Sequence, residues 1–354
     1  MDTFAQREQI NRLDKVLGRV YLTPISVLGL ILLIVMPLVP PFNQEYLIRW
    51  LIVAAYVAAQ AIAFDFTSGF INIVNFGFAA IVGLGAYTSA ILAVNFGLTP
   101  WIGMFAGAVS AAVLGFIIGI ITLRLRGIFA ACLAWFFGLA LMGLATKFVW
   151  LTRGPLGLRS PQLFETSSNL PYYYTILAML FITYLITKWI ISSRMGLAFK
   201  AIGQNMEAAR TSGINPVFYR IVNFTVSCAL AGWLGGFYAH YYGILTPDLM
   251  LTSKTMEVLI VAYIGGRASL WGGAAIAFPF VYATEMMRSS LSNLPGLNLI
   301  IYGIFLVVIM IYYPGGFAHF FNTYLRKPKS RALWYIMNGQ QAAALSTGKS
   351  AKTA

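Results

Sequence analysis

Trp101–Thr122 reads WIGMFAGAVSAAVLGFIIGIIT, a stretch with no charged residue and with hydroxyls only at Ser110 and Thr122. At 1.5 Å per residue, roughly 20 such residues wound as a helix cross the ~30 Å hydrocarbon core of a bilayer. Lipid offers no hydrogen bonds, so every backbone N–H and C=O must be paired within the segment. A run of this length without the alternation of a barrel strand therefore predicts a transmembrane helix.

Working outward, similar runs fall at about 22–40, 47–64, 70–95, 128–150, 172–191, 220–242, 257–273, 274–290 and 298–313. Together they predict an all-α polytopic membrane protein of about ten transmembrane helices, eight at the least. Composition agrees: of 354 residues, 59% are hydrophobic and 10% charged, against roughly 45–50% and 25% in soluble domains. Mean hydropathy is +0.78. A soluble fold, a coiled coil and a disordered chain are excluded. Cys132 and Cys228 each lie inside an apolar run, so they read as small apolar fillers and not as a disulfide scaffold.

The net charge of +14, from 24 Lys and Arg against 10 Asp and Glu, would suggest nucleic acid in a soluble protein. Here it reports topology, because cytoplasmic loops keep the positive residues, and nucleic acid is not an expected partner. Ten crossings place both termini on one side, and that side then carries 18 of the 24 Lys and Arg. Both termini are therefore expected in the cytoplasm of a bacterial or archaeal cell, under its inner membrane. The layout follows: a basic cytoplasmic tail at 1–21, a membrane domain at 22–317, and a basic, disordered cytoplasmic tail at 318–354. The first run reads as a retained anchor, since Pro41-Phe42-Asn43-Gln44-Glu45 gives no small-x-small cleavage site. Gly348-Lys349-Ser350 is not a phosphate loop, because Ala343 stands where its first glycine belongs and no strand precedes it.

Catalysis needs convergent polar groups, and the chain has two histidines, His240 and His319, no Cys/His cluster with metal-ligand spacing and no Gly-x-Ser-x-Gly elbow. No enzyme, bound cofactor or metal site is expected. Asp65, His240, Glu257 and Glu285 fall near the expected ends of spans, where snorkelling lowers the cost of a charge. The lack of mid-span carboxylates argues against an ion-driven secondary transporter.

Glycine carries more information. Asp65–Gly77 reads DFTSGFINIVNFG and leads into Gly83-Leu84-Gly85-Ala86-Tyr87, so a continuous helix is poorly specified there. Asn72 and Asn75 can bond freed backbone or a polar solute. A second break is Gly265-Gly266-Arg267-Ala268-Ser269-Leu270-Trp271-Gly272-Gly273. If the ten spans divide five and five, the halves are inverted and both breaks fall in the third span of their half, with Gly-broken helices near the centre of a path. Glycines that only let helices pack would read the same way.

The loop 192–219 is amphipathic and does not span. Leu197–Arg210 has helical propensity apart from Gly203, Gly213 is placed to end a helix, and Pro216 follows. Such a helix suits docking into a partner's groove, or lying at the membrane surface.

Arg194-x-Gly196-x-Ala198-x-Lys200-Ala201-Ile202-Gly203-Gln204-Asn205-x-Glu207-Ala208-Ala209, closing on Gly213-Ile214-Asn215, closely resembles the coupling loop of bacterial ABC-transporter permeases of the branched-chain amino-acid uptake type. Further motifs resemble this family in its order: Asn75-Phe76-Gly77 with Gly83-x-Gly85-Ala86-Tyr87, Arg124-Leu125-Arg126-Gly127, Thr152–Leu158, Ala231-Gly232-x-x-Gly235-Gly236, and Gly265-Gly266 with Leu270-x-Gly272. The set spans about Asp65 to Phe317.

The resemblance implies a permease subunit of an ATP-driven importer for branched-chain or similar hydrophobic amino acids. Its implied partners are a second homologous permease, two cytoplasmic ABC ATPases that hold ATP and magnesium, and an extracytoplasmic substrate-binding protein. Arg194, Gly196, Lys200, Ala201, Glu207, Ala208, Ala209 and Gly213 would form the ATPase-coupling loop. Asn72, Asn75, Gly77, Gly83, Gly85, Tyr87, Gly265, Gly266 and Gly272 are the candidates for the translocation path. The chain departs from the family pattern at Phe78, where many relatives carry a polar residue, and at Arg153, where a smaller one is usual. Urea and short amides are the alternative cargo, since the same permease family serves them.

Overall fold

A computed structural model of the chain describes residues 44–122, 128–166 and 168–290, together with 29, 33–38, 125, 300, 301, 303, 304, 307, 311 and 316–320. The expected spans at 22–40 and 298–313 lie largely outside these residues, as do the tails at 1–21 and 321–354. The helices are α1 (Glu45–Ser68), α2 (Phe78–Phe96), α3 (Pro100–Thr122), α4 (Ile128–Lys147), the single turn α5 (Val149–Thr152), α6 (Leu170–Ser192), α7 (Arg194–Gln204), α8 (Met206–Thr211), α9 (Pro216–Tyr242), α10 (Thr252–Gly265), α11 (Leu270–Ser290) and α12 (Gly316–Phe320).

Among the described residues, α1, α2, α3, α4, α6 and α9 are long and apolar enough to cross a membrane. That is six spans among the described residues, or seven if α10 and α11, bent by 118° at their junction, form one broken span; the first and last of the ten expected runs lie largely outside those residues. The runs 257–273 and 274–290 are thus not two crossings. The 14 residues of α10 rise only about 21 Å, short of the hydrocarbon core. Hydropathy alone could not show this, because a half-helix inside protein is as apolar as a full span.

The helix ends follow local chemistry. The Asn215 side chain accepts from the N–H groups of Val217 and Phe218 at 3.0 and 3.4 Å, and Pro216 opens α9 with its φ already helical. That helix stops at Gly243 in the left-handed region. The core sits on α1, α2 and α9, whereas α3, α4 and α6 turn most of their length outward. The outward faces are apolar, with Phe105, Val109, Val113, Phe129 and Phe136 exposed, as lipid contact requires.

Three glycines allow α2, α3 and α9 to touch backbone to backbone. A β-carbon on Gly85 would lie 2.3 Å from the Gly232 carbonyl oxygen, and one on Gly107 would lie 2.5 Å from that of Gly85. Gly83 likewise faces Met250 across a gap no side chain could share. Hence α2 is continuous through Gly83, Gly85 and Tyr87, which corrects the expectation that the first break runs through them. The break is confined to 69–77, between two helices.

At the end of the bundle remote from that break, strands β1 (Leu158–Arg159) and β2 (Ile244–Leu245) pair antiparallel. His240, buried in α9, lies 2.8 Å from Ser89 Oγ through Nε2 and 2.7 Å from the Pro161 carbonyl through Nδ1. The carbonyl can only accept, so Nδ1–H donates to it and Nε2 accepts from Ser89. His240 is a satisfied structural group that holds the loop carrying Pro161 against α2 and α9.

Candidate functional site

The loop 192–219 folds as α7 and α8. Ser193 caps α7 by accepting from Met195 N–H at 3.2 Å, and Asn205 caps α8 by accepting from Glu207 and Ala208 N–H at 3.0 and 3.1 Å. The interruption falls at Asn205 and not at Gly203, because an asparagine that turns its side chain back on the next two amides starts a new helix, while a glycine is tolerated where packing rewards it. Gly196, Ala198, Phe199, Ile202 and Ala209 are buried; Arg194, Leu197, Lys200, Glu207, Ala208 and Arg210 face outward, and Ala201 is half-buried. Gly213 follows in the left-handed region, at φ +82°.

The buried side of α7 lies on the first break. A β-carbon on Gly203 would stand 2.2 Å from the Phe70 carbonyl oxygen. Phe199 meets Phe66 edge-on with ring centroids 5.7 Å apart. From α9, Asn223 Nδ2 donates to the Phe66 carbonyl at 2.8 Å, and Arg220 donates to the Thr122 carbonyl at 2.9 Å.

The first break in turn holds the second. The Asp65 carboxylate accepts from Ala268 N–H at 3.1 Å, and Arg267 donates to the Ser68 carbonyl at 3.2 Å and to the Asn72 side chain. Asn72 and Ala268 both adopt positive φ, a conformation that persists only where surrounding contacts fix it. Gly265, Gly266 and Gly272 serve close approach: a β-carbon on Gly272 would be 2.0 Å from the Gly265 carbonyl, and Gly266 abuts Gly316 of α12.

The path candidates therefore separate into two groups. Asn72, Asn75, Gly77, Gly265, Gly266 and Gly272 belong to the joined breaks. Asn75 accepts from Gly77 N–H at 3.1 Å, and a β-carbon on Gly77 would strike the Ala134 carbonyl of α4 at 2.1 Å. Gly83, Gly85 and Tyr87 lie apart, along α2. The Tyr87 hydroxyl is buried without a hydrogen-bond partner among the described residues. The two breaks touch, through Asp65 with Ala268 and Arg267 with Ser68 and Asn72. Phe78 is buried against Phe64, ring centroids 5.4 Å apart, and Arg153 lies outside the bundle after α5.

Sequence reasoning set aside two residues that the structure makes central. Asp65 is buried and binds the second break instead of snorkelling. Glu257 is not at a span end either. After β2 the chain dives inward: Met250 packs on Gly83, Thr252 Oγ1 accepts from Trp135 at 2.9 Å, and Thr255 Oγ1 accepts from Ala79 N–H at 3.0 Å. This places Glu257, two residues on, level with the start of α2.

Such an assembly of long apolar helices, a capped amphipathic loop and two interlocked breaks defines a multi-pass membrane protein. The chain belongs to the family described as branched-chain amino acid transport system / permease component, whose sequence profile matches residues 46–310. It is 26% identical over 303 residues to the high-affinity branched-chain amino acid transport system permease protein LivM of Salmonella typhimurium, covering 77% of this chain and 69% of that protein. To LivH of Escherichia coli K12 it is 23% identical over 278 residues, 72% of this chain and 88% of the relative. A nucleoside ABC transporter permease protein, NupC of Lactococcus lactis, is 27% identical over 191 residues, 48% of this chain and 59% of that protein. No solved structure matches the chain.

Proposed function

We propose that this chain is a transmembrane permease subunit of an ATP-driven importer that carries branched-chain or similar hydrophobic amino acids across the inner membrane. It does not hydrolyse ATP itself; two ABC ATPases on the cytoplasmic side hold ATP and magnesium. A second homologous permease completes the pore, and a substrate-binding protein delivers cargo at the β1–β2 end. Both termini lie in the cytoplasm.

The observation that carries this reading is the unbroken contact from α7 through Phe70 to the two breaks. The outward row of Arg194, Lys200 and Glu207 offers charge to an ATPase cleft, with the short side chain of Ala208 beside it. Closure of the ATPases moves α7, and the close-packed Gly203–Phe70 seat passes that shift to the first break, since a packed interior transmits displacement instead of absorbing it. Asp65 and Arg267 carry it to the second break, so both rearrange together.

Affinity purification of the tagged chain from its native host in mild detergent, with uptake assays in a deletion strain, tests the reading. An ATPase and a second permease in the eluate, with lost leucine uptake, are expected. Lost uptake of urea or a nucleoside alone would change the cargo, and a lone chain with ATP-independent uptake would overturn the reading.

A further inference from the structure

Lys254 and Glu257 form an ion pair in α10, with Nζ 3.0 and 3.2 Å from the two carboxylate oxygens. Its setting is unusual. Thr252 and Thr255 tie the first turn of α10 to Trp135 of α4 and to Ala79 of α2, so the pair lies inside the bundle's depth on a half-helix, not at a membrane surface. The side chains are nevertheless 43% and 29% exposed. Charges at that depth cost too much to face lipid, and the lipid-exposed faces of α3 and α4 show only apolar groups at comparable positions. With the second permease closing the pore on this side, the open side of the pair would face the path between the two subunits. Half-helices that line such a path at membrane depth are where transporters place their solute contacts.

The surroundings match a particular chemistry. Tyr238 of α9 and Met256, the residue before Glu257, pack against the same buried core. The Tyr238 ring is 5.7 Å from that of Tyr56, whose hydroxyl is buried and has no hydrogen-bond partner among the described residues. One cation, one anion and an aromatic wall thus occupy one place, where a free α-amino acid presents one carboxylate, one ammonium and an apolar side chain.

Resting on the reading above, we propose that Lys254 and Glu257 are the permease's contact site for zwitterionic amino acids. The solute carboxylate displaces Glu257 from Lys254 Nζ while its ammonium takes the freed Glu257 carboxylate. The apolar side chain lies on Tyr238. Exchanging one ion pair for two keeps every charge compensated during passage. A neutral solute such as urea cannot make that exchange, so the site selects for zwitterions independently of the binding protein.

The test is labelled-leucine uptake by cells holding the complete transporter, with the chain's membrane level and its co-purified ATPase measured alongside. Glu257→Gln and Lys254→Met should each lower uptake about ten- to hundredfold at unchanged assembly, the loss of one charged hydrogen bond. Glu257→Asp and Lys254→Arg, which keep the charges, should retain most of it. Normal uptake by the neutral variants, or equal loss in the charge-conserving ones, would overturn the site while leaving the importer intact. No leucine uptake by the unmodified chain would overturn both.

Discussion

Gly203 of α7 faces the carbonyl oxygen of Phe70 so closely that a β-carbon would lie 2.2 Å from it. An amphipathic surface helix is thereby seated on non-helical backbone inside the bundle, and the position accepts no side chain.

Gly203→Val should therefore lift α7 from the break. Overpacking of this kind costs about 1–3 kcal/mol, so transport should fall at least about fivefold while the chain still reaches the membrane. Full uptake in that variant would remove the seat from the mechanism.

Asp65 links the breaks through one carboxylate oxygen on Ala268 N–H. Asp65→Ala leaves that buried amide without its acceptor and should destabilise the chain by about 1–3 kcal/mol. Asp65→Asn keeps an acceptor oxygen and should lose less. Thermal unfolding of the purified chain in detergent compares them, and equal losses would show that the bond to Ala268 is not what matters.

Glu207 begins α8 on its outward side. Charge reversal in Glu207→Arg should lower transport at least about tenfold by setting like charge against the ATPase. Leucine binding by the soluble receptor should be untouched. Uptake at the unmodified rate would count against α8 as the coupling surface.

Two glycines of similar appearance in the sequence should behave oppositely. Gly85 lies where α2, α3 and α9 touch, whereas a β-carbon on Gly143 meets nothing within 4 Å. Gly85→Leu should abolish accumulation in the membrane, and Gly143→Leu should leave it unchanged, as immunoblots of membrane fractions would show. Equal accumulation of the two would contradict the backbone contact at the crossing.

The sequence by itself determined that this chain uses lipid as solvent, that it is helical, and that 192–219 is an amphipathic, non-spanning loop. Each of these depends on short-range quantities: run length, backbone pairing, and the charge and glycine and proline punctuation of the loop; that Asn205 splits the loop helix by capping α8 was decided by the structure. The two glycine-rich breaks were legible as sites where a helix is weak. Only the tertiary structure decided that they touch, that Gly83 and Gly85 pack inside an intact helix, and that α10 is a half-helix and not a crossing. Asp65 and Glu257 show why. In a linear run a carboxylate beside a turn looks like a snorkelling group, and its cost depends on what surrounds it. The partners that set that cost, Ala268 for Asp65 and the inward dive of 247–255 for Glu257, come from distant or re-entrant chain that hydropathy cannot locate.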